Sequence, residues 1–470
     1  MKKFVLMIAP FNTRSGYGDH ARSIFYSIMD RDDLDIKCVD VKWGSTPRNH
    51  LNPEVPRHKK LLNTFINGNN IPNQPDVLID IRIPNEFADG AKFNIGITAG
   101  VETDIVSPEF LIGMNRMDLN IVPSNFTANT FKKCTFDKMQ DKPDGSKEKV
   151  AEINLQKPIE VLFEGVDTDV YYPMDKYQIK SEFTDELNDL IKEDIAYLHV
   201  GQWGKGNYGE DRKNIPLMIK CFLQAFANKP NPPALVLKTS GANFSILDKH
   251  EIVKNINQIK DEFSQVDNVP NIYLIHGDLT IQEMSLLYNN PKIKAFLTCT
   301  HGEGYGRPMA EATCCDLPVI ASNWSGHLDF LSDKDSLMIS GHLTEVPDSM
   351  IWEPIIIKPS KWFSVNEADV VRKLRMFHKK QGLITKKAKR LGKKNRREFS
   401  LKAMSDKFNK TLDNVLQSIP QAVSLKLPKL KKVGGETSQP AKIKLPKLKK
   451  VGGETSQPAK IKLPKLKKVT

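Results

Sequence analysis

The sequence predicts an α/β protein with two doubly wound parallel sheets facing each other across a cleft, and three observations predict it. Short apolar runs alternate with helix-length segments: FVLMIA (4–9), DVLIDI (76–81), FNIGITA (93–99), LNIVPS (119–124) and IEVLFEGV (159–166), then IAYLHVG (195–201), ALVLKTS (234–240), NIYLIHG (271–277), KAFLTC (294–299) and LPVIAS (317–322). Near-continuous Val/Ile/Leu runs of this length are strands covered on both faces, and helices between them make the sheet parallel. These runs form two series, parted by the polar, proline-bearing VDTDVYYPMDKYQ (166–178). Finally, 470 residues, 40% of them hydrophobic, suffice for two or three cores. The expected domains are 1–170 and 171–399.

Nothing apolar approaches the roughly 18 to 20 residues of a membrane span. MKKFVLMIAPF has a basic start and an apolar run like a signal peptide, but NTRSGYGDHAR follows in place of a small-residue cleavage site. A buried first strand is the expectation. The six cysteines include no CxxC pair, which points to buried thiols in a reducing cytoplasm.

The net charge of +13 is unevenly spread. Residues 1–370 carry 39 Lys+Arg against 51 Asp+Glu, 371–400 carry 13 against 1, and 421–470 carry 14 against 2. In the last stretch LPKLKKV starts at Leu427, Leu445 and Leu463, with GGETSQPAKIK filling each gap. Recurrent Pro and Gly-Gly forbid a continuous helix and the few leucines enclose no core, so 421–470 reads as a disordered, lysine-rich appendage.

Ligands of open parallel sheets bind at the carboxyl ends of strands, so chemistry is sought in the loops there. After the first strand, FNTRSGYGDHARSIF offers Gly16 and Gly18, which permit positive φ and close backbone approach before a helix starting near Asp19. In VGQWGKGNYGEDRKNIPLMIKCF, Arg212 and Lys213 precede a helix with Pro216 in its first turn, a candidate diphosphate clamp or simply surface charge. Lys238 ends an apolar strand and must reach water, a carboxylate or a phosphate. HGEGYGRPMAEA (301–312) sets Glu303 in a glycine loop and Glu311 about one turn into a helix opened by Pro308. Carboxylates so placed suit a ligand with hydroxyls at two ends better than the acid and base pair of a glycosidase. His20 and His327 are either sugar contacts or structural histidines.

At these residues the chain resembles family 4 glycosyltransferases of the GT-B fold, over roughly residues 1–420 and most strongly over 271–331. VPSNFTANTFKK (122–133), VLFEGVDTDVYYP (161–173), HVGQW with DRKN, and REFSLKAMSDKF (397–408) also match in order. The resemblance implies a retaining, hexose-transferring enzyme that takes a UDP-sugar or GDP-sugar and needs no obligatory metal. It implies that Glu311 holds the donor ribose, and that Glu303 with the amides of Gly304, Tyr305 and Gly306 holds the transferred sugar. Arg212 or Lys213, with Lys238, would neutralise the departing diphosphate, Gly16 would approach it from the other domain, and Arg307 would meet it or pair with an acidic neighbour. It also implies that 371–400 belongs to closing helices, with the last helix, about 400–420, returning to the first domain.

Two departures stand out. Gln202-Trp203 follows Gly201 where many relatives carry arginine, and GVETDIVSP follows the third strand where many carry histidine. Glu102, Thr103 and Asp104 thereby become acceptor-side candidates, Glu102 among the catalytic ones; Thr103 or Asp104 could equally cap the next helix. Segments 34–75 and 100–118 are expected to be acceptor loops. The acceptor candidates are hydroxylated DNA bases or a cell-surface glycan or lipid, and the basic tail would hold DNA or another polyanion non-specifically. The alternative is a non-catalytic polyanion-binding or scaffold protein on the same fold.

Overall fold

The computed structural model describes residues 2–68, 71–143, 145–204, 208–241 and 245–419. The appendage expected at 421–470 lies outside the described residues.

The first half of the chain runs β1 (Lys3–Ala9), α1 (Gly16–Ile28), β2 (Leu34–Asp40), α2 (Pro56–Leu62), β3 (Val77–Ile81), β4 (Phe93–Ile97), α3 (Pro108–Asn115), β5 (Leu119–Val122), α4 (Asn125–Lys133), a hairpin of β6 (Thr135–Asp141) and β7 (Lys147–Asn154), and β8 (Ile159–Val161). The second half runs α5 (Glu182–Leu190), β9 (Ala196–Val200), α6 (Ile215–Phe226), β10 (Ala234–Lys238), α7 (Ile246–Asp261), β11 (Ile272–Ile275), α8 (Ile281–Asn289), β12 (Ile293–Leu297), α9 (Arg307–Cys314), β13 (Val319–Ser322), β14 (Leu337–Ile339), an antiparallel hairpin of β15 (Gly341–Glu345) and β16 (Lys361–Val365), α10 (Glu367–Glu398) and α11 (Leu401–Ser418).

Two six-stranded parallel sheets result, in the orders β2-β1-β3-β4-β5-β8 and β11-β10-β9-β12-β13-β14. Strand order reverses at β1 in the first and at β9 in the second. The crevices beside β1/β3 and β9/β12 are therefore the places where such sheets receive ligands. All ten expected strands are present. β2 was missed because LDIKCVD lies at a sheet edge and interleaves polar residues, so it shows no continuous apolar run. The acceptor loops expected at 34–75 and 100–118 thus contain a strand (β2) and two helices (α2, α3). All six cysteines are buried and unpaired, and no helix among the described residues is long and apolar enough to cross a membrane.

The chain crosses between the sheets twice, side by side. The Val166 amide donates to the Phe399 carbonyl at 3.0 Å and the Leu401 amide to the Val166 carbonyl at 2.6 Å. A Cβ on Gly165 would lie 2.6 Å from Leu401 Cα, so only glycine lets the strands of this seam touch. Beyond it, α11 buries Met404, Phe408, Leu412 and Val415 in the core of the first sheet, alongside Ile24, Phe25 and Ile28 of α1. Phe408→Ala is expected to cost about 3 to 4 kcal/mol in denaturant unfolding, the usual loss for emptying a fully buried phenylalanine site.

Candidate active site in the interdomain cleft

Loops at the carboxyl ends of both sheets meet. Arg14, after β1, lies 3.3 Å from Asp278, after β11. The Asn125 amide, after β5, donates to Asp329 at 2.9 Å. Between these outer contacts the loops after β4 and β5 lie directly on the glycine loop after β12: Ser124 Oγ, just after β5, donates to the Gly304 carbonyl at 2.6 Å. Added Cβ atoms on Gly302 and Gly304 would fall 2.2 Å from the Glu102 carbonyl oxygen and 2.1 Å from that of Ala99. Side chains here would force the sheets apart.

Arg212, Lys213 and Glu303 come together as the sequence pattern suggests. The His301 amide ties the loop after β12 to the Arg212 carbonyl at 2.9 Å, and the His301 ring lies parallel to Trp362 with centroids 4.2 Å apart. Lys213 Nζ donates to Glu303 Oε1, while Arg212 Nη1 lies 3.7 Å from Glu303 Oε2 and 3.3 Å from Glu102 Oε1. Burial alone would raise the Glu303 pKa, but Lys213 and Arg212 override it and bring it down to about 2. The same burial lowers the Lys213 pKa, against the pull of Glu303. Glu303 is an ionised, buried carboxylate flanked by two cations. Asp211 accepts the Ile215 amide at 3.0 Å and the Gly204 amide at 2.9 Å, so the helix start beside the two cations is satisfied by a residue the sequence reading passed over.

Glu311 is a second buried carboxylate, shifted in the opposite direction. Burial raises its pKa to about 7, although Arg307 Nε donates to Oε1 at 3.1 Å and the Tyr288 hydroxyl lies 3.3 Å from Oε2. Of the two readings left open for Arg307, pairing with an acidic neighbour is realised, yet its Nη1 is buried without a partner among the described residues. Between the two glutamates, the amides of Gly304, Tyr305 and Gly306 donate to no acceptor among the described residues. The Tyr305 side chain turns away into the core against Phe330.

Several expectations need correction. Gly16 and Gly18 do not adopt positive φ; α1 begins at Gly16, capped by Ser15, whose Oγ accepts the Gly18 amide at 3.0 Å. Gly18 is glycine because a Cβ would lie 2.5 Å from the Thr13 carbonyl oxygen, a contact within its own loop, whereas a Cβ on Gly16 would meet nothing within 4 Å. Lys238 Nζ is taken up by the Gly277 carbonyl, to which it donates at 2.7 Å, and burial lowers its pKa against the attraction of Asp278. Neither Thr103 nor Asp104 caps α3. Ser107 does, while Thr103 Oγ1 donates to the Ile105 carbonyl and Asp104 accepts the Lys361 amide at 2.6 Å. Trp203 is a core residue. His20 is buried, its pKa pushed down to about 3 by burial and by Arg307. His327 Nε2 pairs with the Ser322 carbonyl at 2.7 Å. Among the described residues no three His, Cys, Asp or Glu side chains come together as a metal site.

The residue most clearly missed is Glu164, just before the crossing seam. It is 5% exposed and accepts no hydrogen bond among the described residues; burial raises its pKa to about 7, opposed by Arg307 and helped by Asp19, Glu311 and Glu303. Its signal was present as the second of two acids inside the apolar run IEVLFEGV, with Leu162 and Phe163 before it.

The sequence matches no protein-family model, and no curated protein is similar to it in sequence. Solved structures do share its fold. Anabaena HepE, in complex with UDP and glucose, superposes with TM-score 0.55 at 12% identity, covering 88% of this chain and 100% of that one. Sucrose-phosphate synthase from Thermosynechococcus elongatus gives 0.59 at 10%, covering 89% and 100%. A glycosyltransferase from Rickettsia africae gives 0.57 at 14%, covering 89% and 99%.

Glu164 supplies a direct test of cleft electrostatics. Its raised pKa means that the ionised form opposes folding above pH 7, and that this cost shrinks as the pH falls towards 4.5, where the unfolded carboxylate also protonates. Glu164→Gln should therefore stabilise the protein by about 2 to 3 kcal/mol at pH 8 in urea unfolding, and by nearly nothing at pH 4. The two half-chains, with their facing carboxyl-end loops, constitute a GT-B fold.

Proposed function

We propose that this chain is a retaining glycosyltransferase similar to family 4, which moves a hexose or similar sugar from a UDP-sugar or GDP-sugar to an acceptor hydroxyl. The observation that carries the reading is the row of three unspent amides, Gly304 to Gly306, set between an ionised Glu303 and a Glu311 poised near neutrality. Glu303 can stabilise positive charge developing at an anomeric carbon, because Lys213 and Arg212 keep it deprotonated. Those cations, with the free amides and the positive end of α9, oppose the charge of a departing diphosphate without a metal. Glu311 accepts hydrogen bonds from ribose hydroxyls when ionised and donates one when protonated. The unpartnered Nη1 of Arg307 and the open face of Gly16 are further donor contacts, with Gly18 behind them as support. Glu102, held by Arg212 at the rim, faces the acceptor side. HepE, of the same fold, was captured with UDP-glucose, which favours a UDP-sugar here.

Hydroxylated DNA bases, or a glycan or lipid of the cell surface, remain the acceptor candidates, acted on in the cytoplasm. Incubation with a panel of UDP- and GDP-sugars should release nucleotide from at least one. Glu303→Gln should lower kcat by about 10²- to 10³-fold with donor affinity retained, and Glu311→Ala should weaken donor affinity. The enzyme reading fails if no donor is cleaved and Glu311→Ala leaves nucleotide-sugar binding unchanged.

A further inference from the structure

The surface of α10 carries a charge arrangement that the cleft does not use. From 381 to 398 the helix has eight Lys or Arg and one acid, on a chain whose first 370 residues carry 39 Lys+Arg against 51 Asp+Glu. Acidic neighbours take up some of these cations: Arg372 pairs with Asp369, Arg390 with Asp335, Arg396 with Asp316, and Lys394 and Arg397 with Glu398. Lys379, Lys380, Lys386, Lys387, Lys389 and Lys393 make no ion pair or hydrogen bond among the described residues. Five of them are exposed, and Lys387 is half-buried.

Their placement is linear. Beyond Lys380, Lys386 and Lys393 stand seven residues and about 10 Å of rise apart on one side of the helix, with Lys389 on the same side between them, and Lys379 is an exposed lysine of the preceding segment. The opposite side, with Leu374, Phe377, Ile384, Ala388 and Leu391, is buried in the protein. The helix bends at Lys380, whose φ of −120° and ψ of 28° leave the helical region, so Lys379 ends the segment before the bend and the other lysines follow it.

We infer that this lysine row is a docking surface for the phosphate backbone of duplex nucleic acid. A row of unpaired ammonium groups gains free energy by replacing the counterions condensed along a linear polyanion. Lysines without exposed aromatics grip phosphates but neither stack on unpaired bases nor read base edges, which favours a duplex held without sequence preference. A membrane surface is disfavoured: a helix lying in a bilayer interface needs a free apolar face, and Leu383 is the one large apolar side chain α10 exposes among the described residues. The 14 Lys+Arg of residues 421–470 add charge of the same sign on the same side of the sequence.

The test uses the full chain and a fluorescent 20-base-pair duplex of arbitrary sequence, titrated by anisotropy at several salt concentrations. The variant Lys379→Gln/Lys386→Gln/Lys389→Gln/Lys393→Gln is compared with one of equal charge change in the tail, Lys431→Gln/Lys432→Gln/Lys449→Gln/Lys450→Gln. Removing the α10 row should lower the slope of log affinity against log salt by about 3 to 4 and weaken binding at least about tenfold at 100 mM salt, alike for unrelated sequences. An unchanged thermal melt would confirm that these exposed positions leave the fold intact. The inference is overturned if the α10 variant keeps the parent affinity and slope, or if the parent binds no duplex, including the case where it sediments only with phosphatidylserine vesicles. Because binding is the readout, the outcome is separate from whether any nucleotide-sugar is cleaved.

Discussion

Everything in the cleft depends on how closely two loops can approach. Gly302 and Gly304 present bare backbone to the carbonyl oxygens of Glu102 and Ala99, and Gly326 does the same to the Gly304 carbonyl at 2.0 Å from where its Cβ would be. A single methyl group at any of these positions would need the facing backbone to retreat. That approach brings Glu102 within reach of Arg212, and through Arg212 connects an acid of the first half of the chain to Glu303 of the second. The sheet topology prepares this meeting, since the loops carrying Arg212 and Glu303 flank the point where the order of the second sheet reverses.

Burial acts on both glutamates of HGEGYGRPMAEA in one direction, and local charge decides the result. Glu303 faces two cations and is held ionised; Glu311 faces one, shared with Asp19 and Glu164, and stays close to neutrality. One side of the cleft is thus fixed in charge across the physiological range, while the other responds to pH and to whatever binds beside it.

The fold was legible because buried parallel strands announce themselves as apolar runs. β2 escaped because at the edge of a sheet only one flank is covered, so LDIKCVD has no need to be uniformly apolar. The grouping of Arg212, Lys213 and Glu303 was readable from their positions at the ends of β9 and β12. Two kinds of fact were not. Which way a lysine turns depends on a carbonyl distant in sequence, as with Lys238 and Gly277. Why a residue is glycine depends on which atom stands opposite, and for Gly18 that atom is in its own loop. Glu164 needed a third kind of knowledge, that the chain would return at Phe399 to Leu401 and enclose it.

That return has a mechanical consequence. Two covalent crossings laid side by side and stitched through Val166 behave as the pin of a door, because sliding and twisting would tear the seam while rotation about it would not. The movement left to the sheets is a swing about one axis. Such a swing would have to part the polar contacts that now join the halves, Arg14 with Asp278, Asn125 with Asp329, Arg212 with Glu102 and Ser124 with Gly304.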